Sequence, residues 1–163
     1  MEFMKKSPQD GFSLLEMVLV VALLGLLTVA TVPLINSTQK TSLDSMTRAL
    51  ELDLRYAQTL ATTTNTPHGF RATDANTYEV FKQTGAGDVL ITSPHHQAPM
   101  SETIDSYYPG VSFNSPSYPA FEVVFQPNGA PNSGAGTQIQ LQDSESHTKT
   151  ITVSDITGRI EVQ

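Results

Sequence analysis

Apolar side chains run almost unbroken from Phe12 to Ile35, and the only charge among them is Glu16, near the start. Residues 17–35 carry no charge at all. As a helix this stretch would span about 28 Å, close to the ~30 Å hydrocarbon core of a bilayer. No Ala-x-Ala site closes the run and Pro33 stands near its end, which predicts a retained anchor rather than a removed secretory signal. From Ser37 the chain turns polar but keeps a helical rhythm. Leu43, Met46, Leu50, Leu54, Ala57 and Leu60 recur at steps of three or four and form one apolar stripe. On the same helix Asp44 with Arg48, and Glu51 with Arg55, stand four apart with the acid first, the better orientation for a supporting pair. The helix is predicted to end near Thr62, because Pro67 forbids continuation.

Beyond residue 66 the period falls to two. The candidate strands are 68–73, 77–83, 89–92, 111–113, 122–125, 137–143, 149–153 and 159–162. Ile139 with Leu141, Ile151 with Val153, and Ile160 with Val162 alternate cleanly with polar neighbours. Asp74, Ala75 and Asn76 form a turn between the first two strands, and residues 155–158 turn the last two into a hairpin on Gly158. Two stretches, 93–109 and 127–136, show no period and read as exposed, partner-facing loops. The predicted fold is therefore α+β. A long N-terminal helix, membrane-spanning in its first half and amphipathic in its second, packs on a C-terminal antiparallel β-sheet head.

Composition narrows the chemistry. The chain has 163 residues, enough for one membrane helix and one small domain. It contains no cysteine, which excludes a disulfide, a thiolate metal site and a cysteine nucleophile. Net charge is −7, and residues 66–163 hold four Lys or Arg against ten Asp or Glu, a balance of 4 − 10 = −6. Such a head is a poor surface for phosphate backbones or anionic lipid headgroups. Lys5 and Lys6 precede the apolar run, so the N-terminus is predicted to stay cytoplasmic and the head to face the opposite side.

Glu16 calls for a partner. A charge at the centre of a spanning helix costs about 2.5–3.5 kcal/mol, less near the interface. Were the chain cut after Gly11, Phe12 would become a new N-terminus. Its α-ammonium would lie one turn from Glu16, on the same helix or on a neighbour packed beside it.

Lys5 and Lys6, then the run Gly11, Phe12, Ser13, Leu14, Leu15, Glu16 and the apolar helix, resemble the N-terminus of type IV pilins and type II secretion pseudopilins. The resemblance implies a prepilin peptidase that cuts after Gly11 and N-methylation of Phe12. It also implies that Glu16 neutralises a neighbour's terminal amine, and that the stretch between Gly25 and Pro33 loses helicity on packing. The domains it implies are a leader at 1–11, a transmembrane assembly helix at 12–35, an amphipathic stem at 36–65 and a periplasmic β-rich head at 66–163. Partners would be the peptidase, other pilins or pseudopilins through the N-terminal helix, an inner-membrane assembly platform and the lipid bilayer. Localisation would be the bacterial inner membrane, single-pass, and then a pilus-like filament. The absence of cysteine leans toward a minor or pseudopilin type. Residues 54–58, 125–129, 149–154 and 157–162 are similar to the H-type minor pseudopilin (FimT-like) group. The function implied is a structural subunit of a type II secretion pseudopilus, with a FimT-like minor type IV pilin as the alternative.

Other chemistry has little support. His95 and His96 are adjacent, so their side chains diverge, and no carboxylate stands at ligand spacing. The run Asp143, Ser144, Glu145 reads as a turn rather than a cation site. No nucleophile motif is present, so neither enzymatic activity nor a cofactor is expected. Some FimT-like pilins bind DNA through a Gly-Arg-x-Arg segment. Here the segment is Gly158, Arg159, Ile160, Glu161, and a single arginine in an acidic head predicts weak binding, so nucleic acid is not an expected partner.

Overall fold

The structure, a computed structural model, describes residues 13–94, 96–114, 121–133 and 138–163, apart from the side chains of residues 26–38 and of Ser133. Contacts divide the chain into Met1–Asn36 and Ser37–Gln163. Helix α1 (Leu14–Thr64) runs through both. It ends where Asn65 enters the left-handed region at φ 52°, a role that Asn tolerates, and Pro67 follows at once.

Within Ser37–Gln163 the stem is held by its apolar stripe. Leu43, Met46, Leu50, Leu54, Ala57 and Ala61 are all buried. The predicted last position, Leu60, is only partly buried. The reason is helical arithmetic: 18 residues make five turns at 3.6 per turn, so the position above Leu43 is Ala61. Glu51 pairs with Arg55 at 2.7 Å as predicted. Asp44 instead meets Lys149 at 3.4 Å.

The head carries ten strands among the described residues, all paired antiparallel and divided between two sheets. In the first sheet β1 (His68–Ala72) lies between β2 (Thr77–Thr84) and β6 (Glu122–Phe125). β3 (Gly87–Leu90) and β4 (Ser101–Thr103) pair with different halves of β2, and β7 (Pro131–Ser133) pairs with β6. The second sheet runs β10 (Ile160–Val162), β9 (Thr148–Val153), β8 (Gln138–Asp143), β5 (Val111–Phe113). The turn at Asp74 forms as expected, with the Asn76 amide donating to Asp74 Oδ1 at 2.7 Å.

The core joins Leu43, Leu50 and Leu54 of the stem to Phe70, Tyr78 and Phe121 of the first sheet and to Ile139, Leu141 and Ile151 of the second. Phe70 stacks on Tyr78 at 5.1 Å and meets Phe121 edge-on at 5.7 Å. Each large apolar side chain so enclosed contributes roughly 1.5–3 kcal/mol.

The stretch 93–109 is not the loose loop its sequence suggested. It contains β4 and the short helix α2 (Ile104–Tyr107). Met100 and Ile104 are buried, and the Ile104 amide donates to the Asn76 carbonyl at 2.7 Å. Part of 127–136 likewise becomes β7, while residues 134–136 lie outside the described residues. The predicted strand 89–92 forms two residues earlier, because a two-residue turn at Gly85 and Ala86 starts β3 at Gly87.

Candidate functional site

The N-terminal segment presents apolar side chains outward. Leu14 is 82% exposed, and Leu15, Met17, Val18, Leu19, Val20, Val21, Leu23 and Leu24 are exposed with it. A contiguous apolar surface of this kind marks a partner-binding or membrane-facing region. The Ser13 carbonyl accepts the amides of Glu16 at 2.9 Å and Met17 at 3.2 Å, which opens the helix just ahead of Leu14. Glu16 therefore sits in the first turn, exposed, where the helix dipole favours a carboxylate by about 0.3–1 kcal/mol. Among the described residues, its own helix backbone aside, nothing lies within 4 Å of the position a Cβ on Gly25 would take. The backbone is helical through both Gly25 and Pro33, so the loss of helicity implied for this stretch is not present in the single chain.

Gly11 and Phe12 lie outside the described residues, as do the side chains of 26–38, over which the predicted span at 12–35 extends. Among the described residues no helix is long and apolar enough to cross a membrane.

Three of the short segments that carried the narrower resemblance, 54–58, 125–129 and 157–162, meet at one point in the head. Gln58 of the stem donates through Nε2 to the Gly129 carbonyl at 2.8 Å and to the Gly158 carbonyl at 3.1 Å. Gly129 and Gly158 both have positive φ, 83° and 67°, which suits glycine at these turns. Next to them Arg55 reaches the Ile160 carbonyl at 3.5 Å. A polar amide on a helix next to the apolar stripe was the one sequence signal for this joint.

Arg159 does not form a basic patch. It is 75% exposed at its side chain, and its Nε pairs with Glu161 at 3.0 Å, the acid that stands where the DNA-binding segment has a second arginine. The remaining polar groups serve the fold. Asp143 is buried and closes the β8–β9 turn, accepting the amides of Glu145 and His147, both at 2.9 Å, and facing His147 Nδ1 at 2.8 Å. Burial pushes its carboxyl up, but these hydrogen bonds and the His147 ring outweigh that and hold it below the usual value. His96 stacks on Tyr107 with 6.1 Å between ring centres, and His95 lies outside the described residues. Among the described residues no three His, Asp or Glu side chains are grouped to hold a metal.

Sequence reasoning missed a further feature. The Tyr78 hydroxyl donates to Asp53 Oδ2 at 2.6 Å beneath a cavity of about 380 Å³ between the stem and the 93–108 segment. Burial, then the negative charge of Asp53 and the hydrogen bond to it, push the Tyr78 hydroxyl far above its ordinary value.

The family model described as type II transport protein GspH matches residues 46–157, and that of the prokaryotic N-terminal methylation motif matches residues 6–32. Comparison with curated proteins gave no match. Among solved structures, the minor pseudopilin EpsH from the type II secretion system of Vibrio cholerae aligns with TM-score 0.57 at 12% identity, covering 75% of this chain and 96% of that one. The type IV minor pilin FimU of Pseudomonas aeruginosa aligns with TM-score 0.54 at 15% identity, covering 77% of this chain and 91% of that one. At such identities the likeness is one of fold.

Proposed function

The chain belongs to the type II transport protein GspH family, and from that membership we propose how it works as a minor pseudopilin, a structural subunit of the type II secretion pseudopilus. Prepilin peptidase cuts after Gly11, and Phe12 is methylated. The subunit then waits in the inner membrane through residues 12–35 with its head in the periplasm. It joins the filament when Glu16 meets the terminal amine of a neighbouring subunit. Gly25 and Pro33 weaken the intervening helix, one by its backbone freedom and the other by its missing N–H, so that the stretch between them extends on packing. The inner-membrane assembly platform and sister pseudopilins are its partners.

One observation carries the proposal: an outward-facing apolar helix that begins at Leu14 and bears a single exposed carboxylate in its first turn. A lone acid in this position is accounted for by a cation that proteolysis creates. Glu16→Ala is expected to leave membrane insertion intact and to abolish incorporation into filaments, read by membrane fractionation and by cross-linking to sister subunits. Normal incorporation of the variant would refute the role given to Glu16. Mass spectrometry of membrane-extracted protein is expected to show an N-terminal methylated Phe12.

The alternative of a minor type IV pilin shares this architecture. The family match across the head favours secretion. A DNA-receptor role is disfavoured by the pairing of Arg159 with Glu161.

A further inference from the structure

The cavity between the stem and the 93–108 segment has a chemistry of its own. Its floor is apolar, with Met46, Met100 and Ile104 buried beneath it. Its rim carries two large apolar side chains turned to solvent, Leu52 at 65% and Tyr107 at 60% exposure. Asp53 and Glu102 also line it, and among the described residues no lysine or arginine does. Tyr107 is braced on one side by His96, whose ring lies nearly parallel to it at 16°. A volume of about 380 Å³ sits at the lower end of the ~300–1,000 Å³ range of small-molecule pockets, room for one or two side chains rather than an extended ligand.

We propose that this groove docks a partner protein through an arginine next to a leucine-like residue. Charge complementarity selects the occupant. A guanidinium is planar, stacks on aromatic faces and meets carboxylates through a rigid fork, so it suits Tyr107 and Glu102 together. The adjacent aliphatic side chain covers Met46 and Met100, which adapt their shape readily to an incoming group. An acidic partner segment is excluded by the same two carboxylates. The inference is independent of the filament to which the chain belongs, since it uses only groups of the stem and the head.

The test uses the full chain in detergent with ¹³C-methyl methionine. Met46 and Met100 report on the groove, and Met17 on the apolar helix serves as the internal control. The probe is acetyl-Leu-Arg-amide on the order of 10 mM, above the millimolar dissociation constant expected of so small a ligand. The Met46 and Met100 methyl signals should shift while that of Met17 stays, and acetyl-Leu-Glu-amide should move neither groove signal. Glu102→Gln should weaken binding at least threefold, as should Tyr107→Ala. Asp155→Asn, in the β9–β10 turn, should leave it unchanged. Three outcomes would overturn the proposal: no shift at Met46 or Met100, equal shifts with both peptides, or equal weakening by Glu102→Gln and Asp155→Asn.

Discussion

Replacing Gly158 by alanine tests the joint that ties the stem to both turns of the head. At φ 67° an alanine is left-handed, which costs roughly 1–2 kcal/mol. Its Cβ would also collide with the Gly129 carbonyl, which is backbone and cannot swing aside, and would stand 2.6 Å from Gln58 Nε2. Relieving the collision breaks the two hydrogen bonds that Gln58 makes, each worth about 0.5–1.5 kcal/mol net. Together these come to about 2–5 kcal/mol. Gly129→Ala is the matched control. Its φ is also left-handed, at 83°, but the nearest atom to its Cβ is Thr62 Cγ2 at an ordinary 3.5 Å, so only the conformational cost of about 1–2 kcal/mol applies. Urea unfolding of the detergent-solubilised chain, followed by tyrosine near-ultraviolet circular dichroism because the chain has no tryptophan, reads both. With a slope of about 1–3 kcal/mol per M, Gly158→Ala should lower the urea midpoint by at least about 0.7 M, and by clearly more than Gly129→Ala. Combining Gly158→Ala with Gln58→Ala should cost less than the two separately, because both remove the same bonds. Equal midpoints for the two glycine variants, or strict additivity with Gln58→Ala, would refute the joint.

Tyr78→Phe removes the hydroxyl that donates to Asp53 and should cost about 1–2 kcal/mol at neutral pH. Because the folded hydroxyl holds its proton far above the ordinary value of 10.0, stability is fully present below that pH and is lost above it, as the unfolded chain ionises first. The alkaline decline in urea midpoint should be shallower in the phenylalanine variant. Asp143 behaves in the opposite sense. Its folded carboxyl lies below the ordinary 3.8, so its contribution is present above that pH and disappears as pH falls through the folded value. Asp143→Asn should therefore destabilise the chain at pH 7, with the difference from the parent narrowing below about pH 4. For nucleic acid, a band shift with double-stranded DNA at ~150 mM salt should show no micromolar complex, and Arg159→Ala should change nothing.

The features legible in the sequence were those whose cause is local. The stem stripe follows from 3.6-residue geometry, which places five of its six predicted members in the core. The strands at 111–113 and 122–125 fall at the bounds expected from the sequence, and the turn at Asp74 follows from its own side chain. Glu16 stood out because a carboxylate within a run long and apolar enough to span a bilayer is costly.

Tertiary structure decided what depends on partners distant in sequence. The pairing of β1 with β6 joins residues some 50 positions apart, and no periodicity encodes which strands share a sheet. β4 and α2 arise because Met100 and Ile104 find a pocket formed by the stem and β2, so an aperiodic stretch is ordered by burial rather than by propensity. Gln58 meets Gly129 and Gly158 across 71 and 100 residues, and the acidic groove is assembled from the stem, β2 and the 93–108 segment. The chain's local chemistry thus determined its elements and its single unusual charge, while the joint and the groove required long-range contacts, whose energy comes only when separated elements are already packed together.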